Sequence, residues 1–306
     1  MAGKNVVVTG ATGLLGRQVA RAFELRSWNV KGTGFSRADG VSVFKVDLGN
    51  TSEVEKFLDE SKFPDKVDSD PDAARALNVA ATKSLANLCA ARSTLLIYIS
   101  TDYVFSGKPG EAPYEADAPT GPTNLYGQTK LDGELAVLEE YKAAGLEGLG
   151  LVLRVPVLYG KAHTPAESAT NILMDTLWKT QDGQSKVKMD HWAIRYPTNT
   201  EDVGRVCHDI AGKYLEASDR SSMPKVLQFS SEDKMTKYEI CQTFADIMGL
   251  PMDGIIANTE GNDPNASVQR PYDCHLSTRA LKDLGIDVST NDFIGWWRRE
   301  VHAFRH

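Results

Sequence analysis

Apolar residues recur along this chain in two rhythms. Asn5 to Thr9 is a short continuous apolar run that ends in glycines, and Leu14 to Leu25 then carries apolar residues at helical spacing, which predicts strand, turn and helix. Trp28 to Gly34 and Val41 to Val46 read as two more strands, and the link between them is too short for a crossover helix. Ser52 followed by Glu55 is a capping-box signature, so a helix is expected over 53–61. Asp70-Pro71 opens a long Ala-rich helix running to about Arg92. Leu95 to Ile99 is a buried-type strand, Leu125 to Tyr141 a helix and Gly148 to Leu153 a strand. Strands alternating with helices in this way predict a parallel, doubly wound α/β sheet. Beyond Tyr159 the rhythm loosens into helices near Glu167 to Thr180, Glu201 to Leu215 and Lys237 to Met248, with one strand at Val226 to Phe229. The expected division is therefore a nucleotide-binding half, 1–160, and a smaller α/β lobe, 161–306.

One element is out of step. The helix near residue 60 is followed directly by a second helix, and only Ser61 to Ser69, mostly polar, lies between them. A parallel sheet would place a strand there. Either the link is a long surface loop, or a central strand has been lost through an alternative transcript, a deletion or a faulty gene model.

Composition narrows the picture only slightly. Of 306 residues, 42% are hydrophobic and 25% charged, which is ordinary for a globular chain and excludes a disordered one. The net charge of -7, with basic and acidic residues interspersed, argues against nucleic acid as a partner. Cys89, Cys207, Cys241 and Cys274 stand far apart with no CxxC pair, which points to a reducing compartment rather than a disulfide framework. No run approaches a membrane span and too few residues precede the first strand for a signal peptide, so a cytosolic protein is expected.

The chemistry begins at Thr9-Gly10-Ala11-Thr12-Gly13-Leu14-Leu15-Gly16, which follows a strand and opens a helix. In that setting glycines let backbone amides approach a pyrophosphate at the positive end of the helix, the hallmark of a Rossmann-type dinucleotide site. At the end of the second strand, an NAD-preferring chain would carry an Asp or Glu for the ribose hydroxyls. Here stand Phe35, Ser36 and Arg37, and Arg37 suits a 2′-phosphate, although a solvated loop arginine is the plain alternative. Asp47-Leu48 after the third strand could fix the adenine edge or simply form a turn. Tyr126 and Lys130 lie four residues apart on one helical face, where an ammonium can ease ionisation of a phenol and reach a ribose. Thr101 ends the preceding strand, at the edge where open α/β sheets present ligands, and could polarise a carbonyl.

Together these pieces resemble the extended short-chain dehydrogenases/reductases, with Thr101, Tyr126 and Lys130 matching the catalytic trio and Arg154 to Gly160 the segment beside the nicotinamide. The run STDYVFSG, with Pro197-Thr198 and Asp202-Val203, narrows the likeness to the RmlD-like branch, the dTDP-4-dehydrorhamnose reductases, which reduce a 4-keto sugar nucleotide with NAD(P)H. Closer still is the family of methionine adenosyltransferase β regulatory subunits, matched at GATGLLGR, Asn124 to Gly127, Thr129 to Glu134, Met189 to Trp192, Arg195 to Thr198, Met235 to Glu239 and Gln269 to Pro271. That resemblance implies an NADP-binding partner that modulates the enzyme making S-adenosylmethionine. It places cofactor contacts on Thr12 to Leu15, Phe35 to Arg37, Asp47, Leu48, Tyr126, Lys130 and Leu158. Ser36 departs from a second basic residue expected there. The family also has an apolar strand and a small-residue loop leading into the segment that begins here at Asp65-Lys66-Val67-Asp68, and their loss would leave backbone groups unpaired unless the neighbouring strands close the gap.

Weaker signals remain. Asp190-His191 reads as a structural hydrogen bond rather than an acid-base pair. His302 and His306 lack a third ligand, and no metal is expected. The tail from Trp296 to His306 is rich in interface-anchoring residue types, and the resemblance places it against the methionine adenosyltransferase catalytic subunit, while a helix packed on its own lobe is the alternative. Two functions follow: a non-catalytic regulatory subunit, or an NADPH-dependent reductase of a nucleotide-linked 4-keto sugar.

Overall fold

A computed structural model describes residues 4–34, 37–40, 42–60, 71–262 and 269–303. The first half runs β1 (Asn5–Val8), α1 (Leu14–Glu24), β2 (Asn29–Gly34), β3 (Val43–Lys45), α2 (Thr51–Glu60), α3 (Pro71–Ala91), β4 (Leu96–Thr101), α4 (Leu125–Ala143) and β5 (Gly150–Val155). The second continues β6 (Leu158–Tyr159), α5 (Asn171–Lys179), β7 (Val187–Asp190), β8 (Thr198–Asn199), α6 (Thr200–Glu216), β9 (Val226–Gln228), α7 (Lys237–Met248), β10 (Ile255–Asn258), α8 (Arg279–Asp283) and α9 (Phe293–Glu300). The expected α/β class holds, and every paired strand named here runs parallel to its partner.

The sheet is split where the strand is missing from the rhythm. β1, β2 and β3 form one sheet and β4, β5 and β9 another, and among the described residues no strand joins β1 to β4. The link 61–69 itself lies outside those residues. Bonds from Asn29 N to Lys4 O and from Val152 N to Lys225 O fix which way alternate backbone groups face. With the parallel register, Asn5 and Val7 turn theirs away from β2, and Ile97 and Ile99 turn theirs away from β5. Burial follows the split: all six residues of β5 are buried, while Val7 in β1 is 41% exposed and Leu96 to Ile99 of β4 are only half-buried.

What holds the halves together is a core on one face. Phe23, Leu15 and Val19 of α1, Val203, Val206 and Ile210 of α6, and Leu151, Leu153, Ile97 and Val6 from both sheets form one apolar cluster. A Cβ on Gly204 of α6 would sit 2.6 Å from the Gln18 carbonyl of α1, so glycine permits this close helix crossing. α2, α3 and α4 cover the other face through Phe57, Leu88, Ala86, Val137 and Tyr141. The chain recrosses residue 160 to do this, since α6 and β9 return to the sheet-bearing half. The remaining lobe buries Leu177, Ile240, Phe244, Phe293, Trp296 and Trp297 around Tyr159.

Two helix starts differ from expectation. α2 is capped by Asn50, whose side-chain oxygen accepts from Glu53 N at 3.3 Å, two residues ahead of the Ser52/Glu55 pair. α5 begins at Asn171 rather than near Glu167, because Pro165–Glu167 is a short 3-10 turn and the Ser168 hydroxyl accepts the Thr170 and Asn171 amides at 3.0 and 3.1 Å.

Candidate functional site

The glycine turn has the shape its sequence implies. Gly10 adopts φ +64°, and a Cβ on Gly16 would lie 2.1 Å from the Gly10 carbonyl, so both positions need glycine for the strand to turn tightly into α1. Gly13 caps α1 without a side-chain hydrogen bond and no acidic residue stands in its first turn. The amides at Leu14, Leu15 and Gly16 thus have no side-chain cap, which suits a pyrophosphate.

At the end of β2, Phe35 and Ser36 lie outside the described residues, but Arg37 is placed. Its guanidinium is 2.5 Å from Glu167 of the second lobe. The same carboxylate takes Arg17 of α1 at 2.7 Å and the His163 amide at 3.2 Å. Arg17 also donates to the carbonyls of Thr12 at 2.6 Å and Lys161 at 3.1 Å, tying the glycine turn to segment 161–167. Hydrogen bonding from Arg17, reinforced by Arg37 against the effect of burial, holds the Glu167 carboxyl down at about 2. Neither Arg17 nor Glu167 was singled out from the sequence, because they stand 150 positions apart. Asp47 is spent locally: its carboxylate accepts the Gly49 amide at 2.8 Å in a turn, and Leu48 packs beside Val46 and Phe57.

Beside the turn lies a cavity of about 430 Å³ whose walls include Leu14, Leu15, Thr101, Tyr126, Lys130 and Leu158. Six sequence-predicted residues thus converge on one space. Thr101 is buried, donates to Asp102 at 2.9 Å and accepts the Tyr103 amide at 3.2 Å. Burial pushes Asp102 up to about 6, against the Thr101 hydrogen bond and the Arg195 charge. Tyr126, 57% exposed, stands at the rim on the first turn of α4, whose N-cap Asn124 accepts the Gly127 amide at 2.9 Å.

The expected pairing of Tyr126 with Lys130 is not what this structure shows. The Lys130 ammonium donates to the Ile99 carbonyl at 2.6 Å and lies 4.4 Å from the centre of the Tyr98 ring. Ile99 is one of the β4 residues whose backbone turns away from β5, to the side where the described residues supply no strand, so the lysine satisfies an acceptor that a neighbouring strand would otherwise take. Burial lowers Lys130 to about 8, with Glu134 opposing, and burial raises Tyr126, with the nearby Thr101 hydroxyl opposing.

The opposite wall comes from the second lobe, and the sequence reading missed its charges. Arg195 and Lys237 line the cavity. Arg195 is 5% exposed, its Nη2 has no hydrogen-bond partner, and it lies 3.8 Å from Asp190. Burial, and then Arg195 and Arg270, lower Lys237. Ser100 and Thr170 also line the cavity, with buried hydroxyl oxygens that have no hydrogen-bond partner. Asp190 and His191 are structural, as expected: Asp190 accepts the Trp192 and Ala193 amides, and His191 Nδ1 meets Thr236 Oγ1 at 2.8 Å.

Trp296 and Trp297 of the tail face inward. Trp296 and Trp297 are 5% and 3% exposed and pack on Tyr159, which leaves Arg298, Arg299 and Glu300 as the exposed side chains closing α9. Residues 304–306, including His306, lie outside the described residues. No helix among the described residues is long and apolar enough to cross a membrane.

Comparison with known proteins agrees with this geometry. The profile of the RmlD substrate binding domain matches residues 4–304. Methionine adenosyltransferase 2 subunit beta of Rattus norvegicus is 38% identical over 303 residues, spanning 95% of this chain and 86% of its own length. dTDP-4-dehydrorhamnose reductase of Mycolicibacterium smegmatis is 35% identical over 144 residues, 44% of this chain and 42% of its own. Among solved structures, dTDP-4-dehydrorhamnose reductase of Bacillus anthracis in complex with NADP superposes with a TM-score of 0.73 at 19% identity, covering 97% of this chain and 98% of that one. At such an identity the likeness is one of fold.

Proposed function

This chain belongs to the RmlD substrate-binding family and is a relative of the methionine adenosyltransferase β subunits, and on that premise we propose that it is an NADP(H)-binding regulatory subunit. In this reading it joins a methionine adenosyltransferase catalytic subunit and modulates S-adenosylmethionine synthesis. The observation that carries it is the 38% identity to a β subunit over nearly the whole chain. Residues 1–160, joined by α6 and β9, supply the cofactor half and the rest of 161–306 the partner-facing lobe, with the exposed end of α9 and the residues after it as the contact.

The cofactor assignment rests on local chemistry. The Leu14, Leu15 and Gly16 amides would hold the pyrophosphate, Arg37 a ribose phosphate, and Lys130 and Tyr126 the nicotinamide ribose, with Leu158 beside the ring. A nicotinamide bound there would supply hydride chemistry. Tyr126 would need Lys130 to leave the Ile99 carbonyl before the ammonium could help its hydroxyl pass a proton, which favours cofactor binding over turnover in this chain. The test is to purify the full chain with NADPH and a methionine adenosyltransferase catalytic subunit. Co-elution and a changed methionine affinity are expected; neither would occur if the reading were wrong.

The second reading, a reductase of a nucleotide-linked 4-keto sugar, is favoured by Thr101, Tyr126 and Lys130 lining one cavity with the cationic wall of Arg195 and Lys237. It requires NADPH-dependent turnover of a dTDP-4-keto sugar that disappears in Tyr126→Phe.

A further inference from the structure

The Arg17–Glu167–Arg37 cluster has a composition that a passive surface ion pair does not need. Two arginines from the nucleotide-binding half converge on one carboxylate supplied by the second lobe, at 2.7 and 2.5 Å. Glu167 is 13% exposed, Arg17 20% and Arg37 48%. Glu167 also lines the cavity with Leu14 and Leu15, at the turn where the dinucleotide is read to lie. Arg17 is anchored independently by the Thr12 and Lys161 carbonyls, whereas Arg37 is held by Glu167. The chain therefore holds its own anion on the arginine best placed for a 2′-phosphate.

We propose that Glu167 is an internal competitor for the ribose 2′-phosphate: it occupies Arg37 in the ligand-free chain and yields it when a phosphorylated dinucleotide enters. The proposal rests on the NADP(H) reading above and adds to it a specificity-determining residue and a route from cofactor to second lobe. A ribose phosphate carries up to about twice the charge of a carboxylate and three acceptor oxygens, so it can displace Glu167 from Arg37. A dinucleotide lacking that phosphate offers Arg37 nothing comparable and leaves the clasp closed. Because Glu167 sits in segment 161–167, whose His163 amide it also accepts, its exchange is felt in the second lobe. NADP(H) and NAD(H) are thus told apart by what they do to a contact between the two halves.

The experiment titrates the full chain with NADPH and with NADH, for wild type, Glu167→Gln, Arg37→Ala and the double variant, with thermal unfolding as a check on folding. Glu167→Gln is expected to tighten NADPH on the order of five-fold and to leave NADH within about two-fold, since it removes a competing charge from a partly exposed ion pair. In the Arg37→Ala background the Glu167→Gln effect on NADPH should vanish, because the contested arginine is gone and Arg17 stays held by the Thr12 and Lys161 carbonyls. Equal tightening of both dinucleotides, an unchanged ratio, or weaker NADPH binding would overturn the competitor role while leaving the cofactor reading intact. If no variant binds either dinucleotide, both readings fall together. Binding of NADPH by Glu167→Gln alone, with none by wild type, would support the clasp in its strongest form.

Discussion

Lys130 is the residue whose chemistry departs furthest from its sequence context. Spacing places it one helical turn from Tyr126, yet its ammonium is drawn to the Ile99 carbonyl and the Tyr98 ring. Burial lowers it from 10.5 to about 8, so between those pH values the amine loses its proton in the folded chain while the unfolded chain keeps it. In that window the unfolded state binds more protons, and stability should rise as pH climbs from about 8 to about 10.5. Cofactor affinity should move the opposite way, because a dinucleotide that gains from the ammonium binds the deprotonated chain less well. NADPH affinity is expected to fall by up to about tenfold per pH unit above 8, and Lys130→Met should show a flat profile there. Titration by fluorescence across that range decides the matter; a wild-type profile as flat as the variant would remove Lys130 from the cofactor site. Nothing in the sequence foretold this placement, since it depends on a β4 carbonyl some thirty positions earlier that faces away from β5, not on the helix that carries the lysine.

Among the elements, those with local signals were legible and those without were not. The strand, turn and helix at the start follow from a run, a glycine cluster and a helical period within about twenty residues. The α2 cap was misplaced by two positions because Asn50, Ser52, Glu53 and Glu55 offer overlapping boxes, and only the fold chooses between them. β7 and β10 went unread because each is four residues long and each pairs with a strand far away in sequence. α4 shows what a buried charge does in such an element. Glu134 and Arg154, 2% and 4% exposed, bond at 2.7 and 2.9 Å and pin α4 onto β5. Glu134→Ala would leave the guanidinium buried without its carboxylate and should cost about 3–5 kcal/mol, read as a large fall in urea midpoint. α9 separates stability from contact. Trp297→Ala should cost about 3–5 kcal/mol, whereas paired Arg298→Ala and Arg299→Ala changes should stay within about 1 kcal/mol. If that arginine pair also leaves association with a methionine adenosyltransferase catalytic subunit unchanged, the exposed end of α9 is not the contact.

At the scale of the whole molecule, the interrupted rhythm between two helices near residue 60 reappears as a sheet in two parts. The sequence could signal the interruption but not its consequence, because nothing local says how β1 and β4 respond. The response is to share a core on one face, where α1 and α6 carry apolar side chains from both half-sheets, while among the described residues no strand pairs with either edge. Such an edge leaves a pattern that can be measured. Tyr98 and Ser100 direct their amides to β5, and Ile97 and Ile99 direct theirs to the open side. Along β1, Val6 and Val8 face β2 while Val7 faces away. Hydrogen exchange should therefore alternate with a period of two along both strands, fast at Val7, Ile97 and Ile99 and slow at their neighbours, whereas Val152 to Arg154 in β5 should be protected throughout. Bound NADPH should slow the whole of β1 and β4 by mass action on opening without erasing that alternation, since it stabilises the fold but supplies no strand. Uniform protection at Val7, Ile97 and Ile99 would show instead that the edge is covered in solution, and the split sheet would no longer describe the working protein.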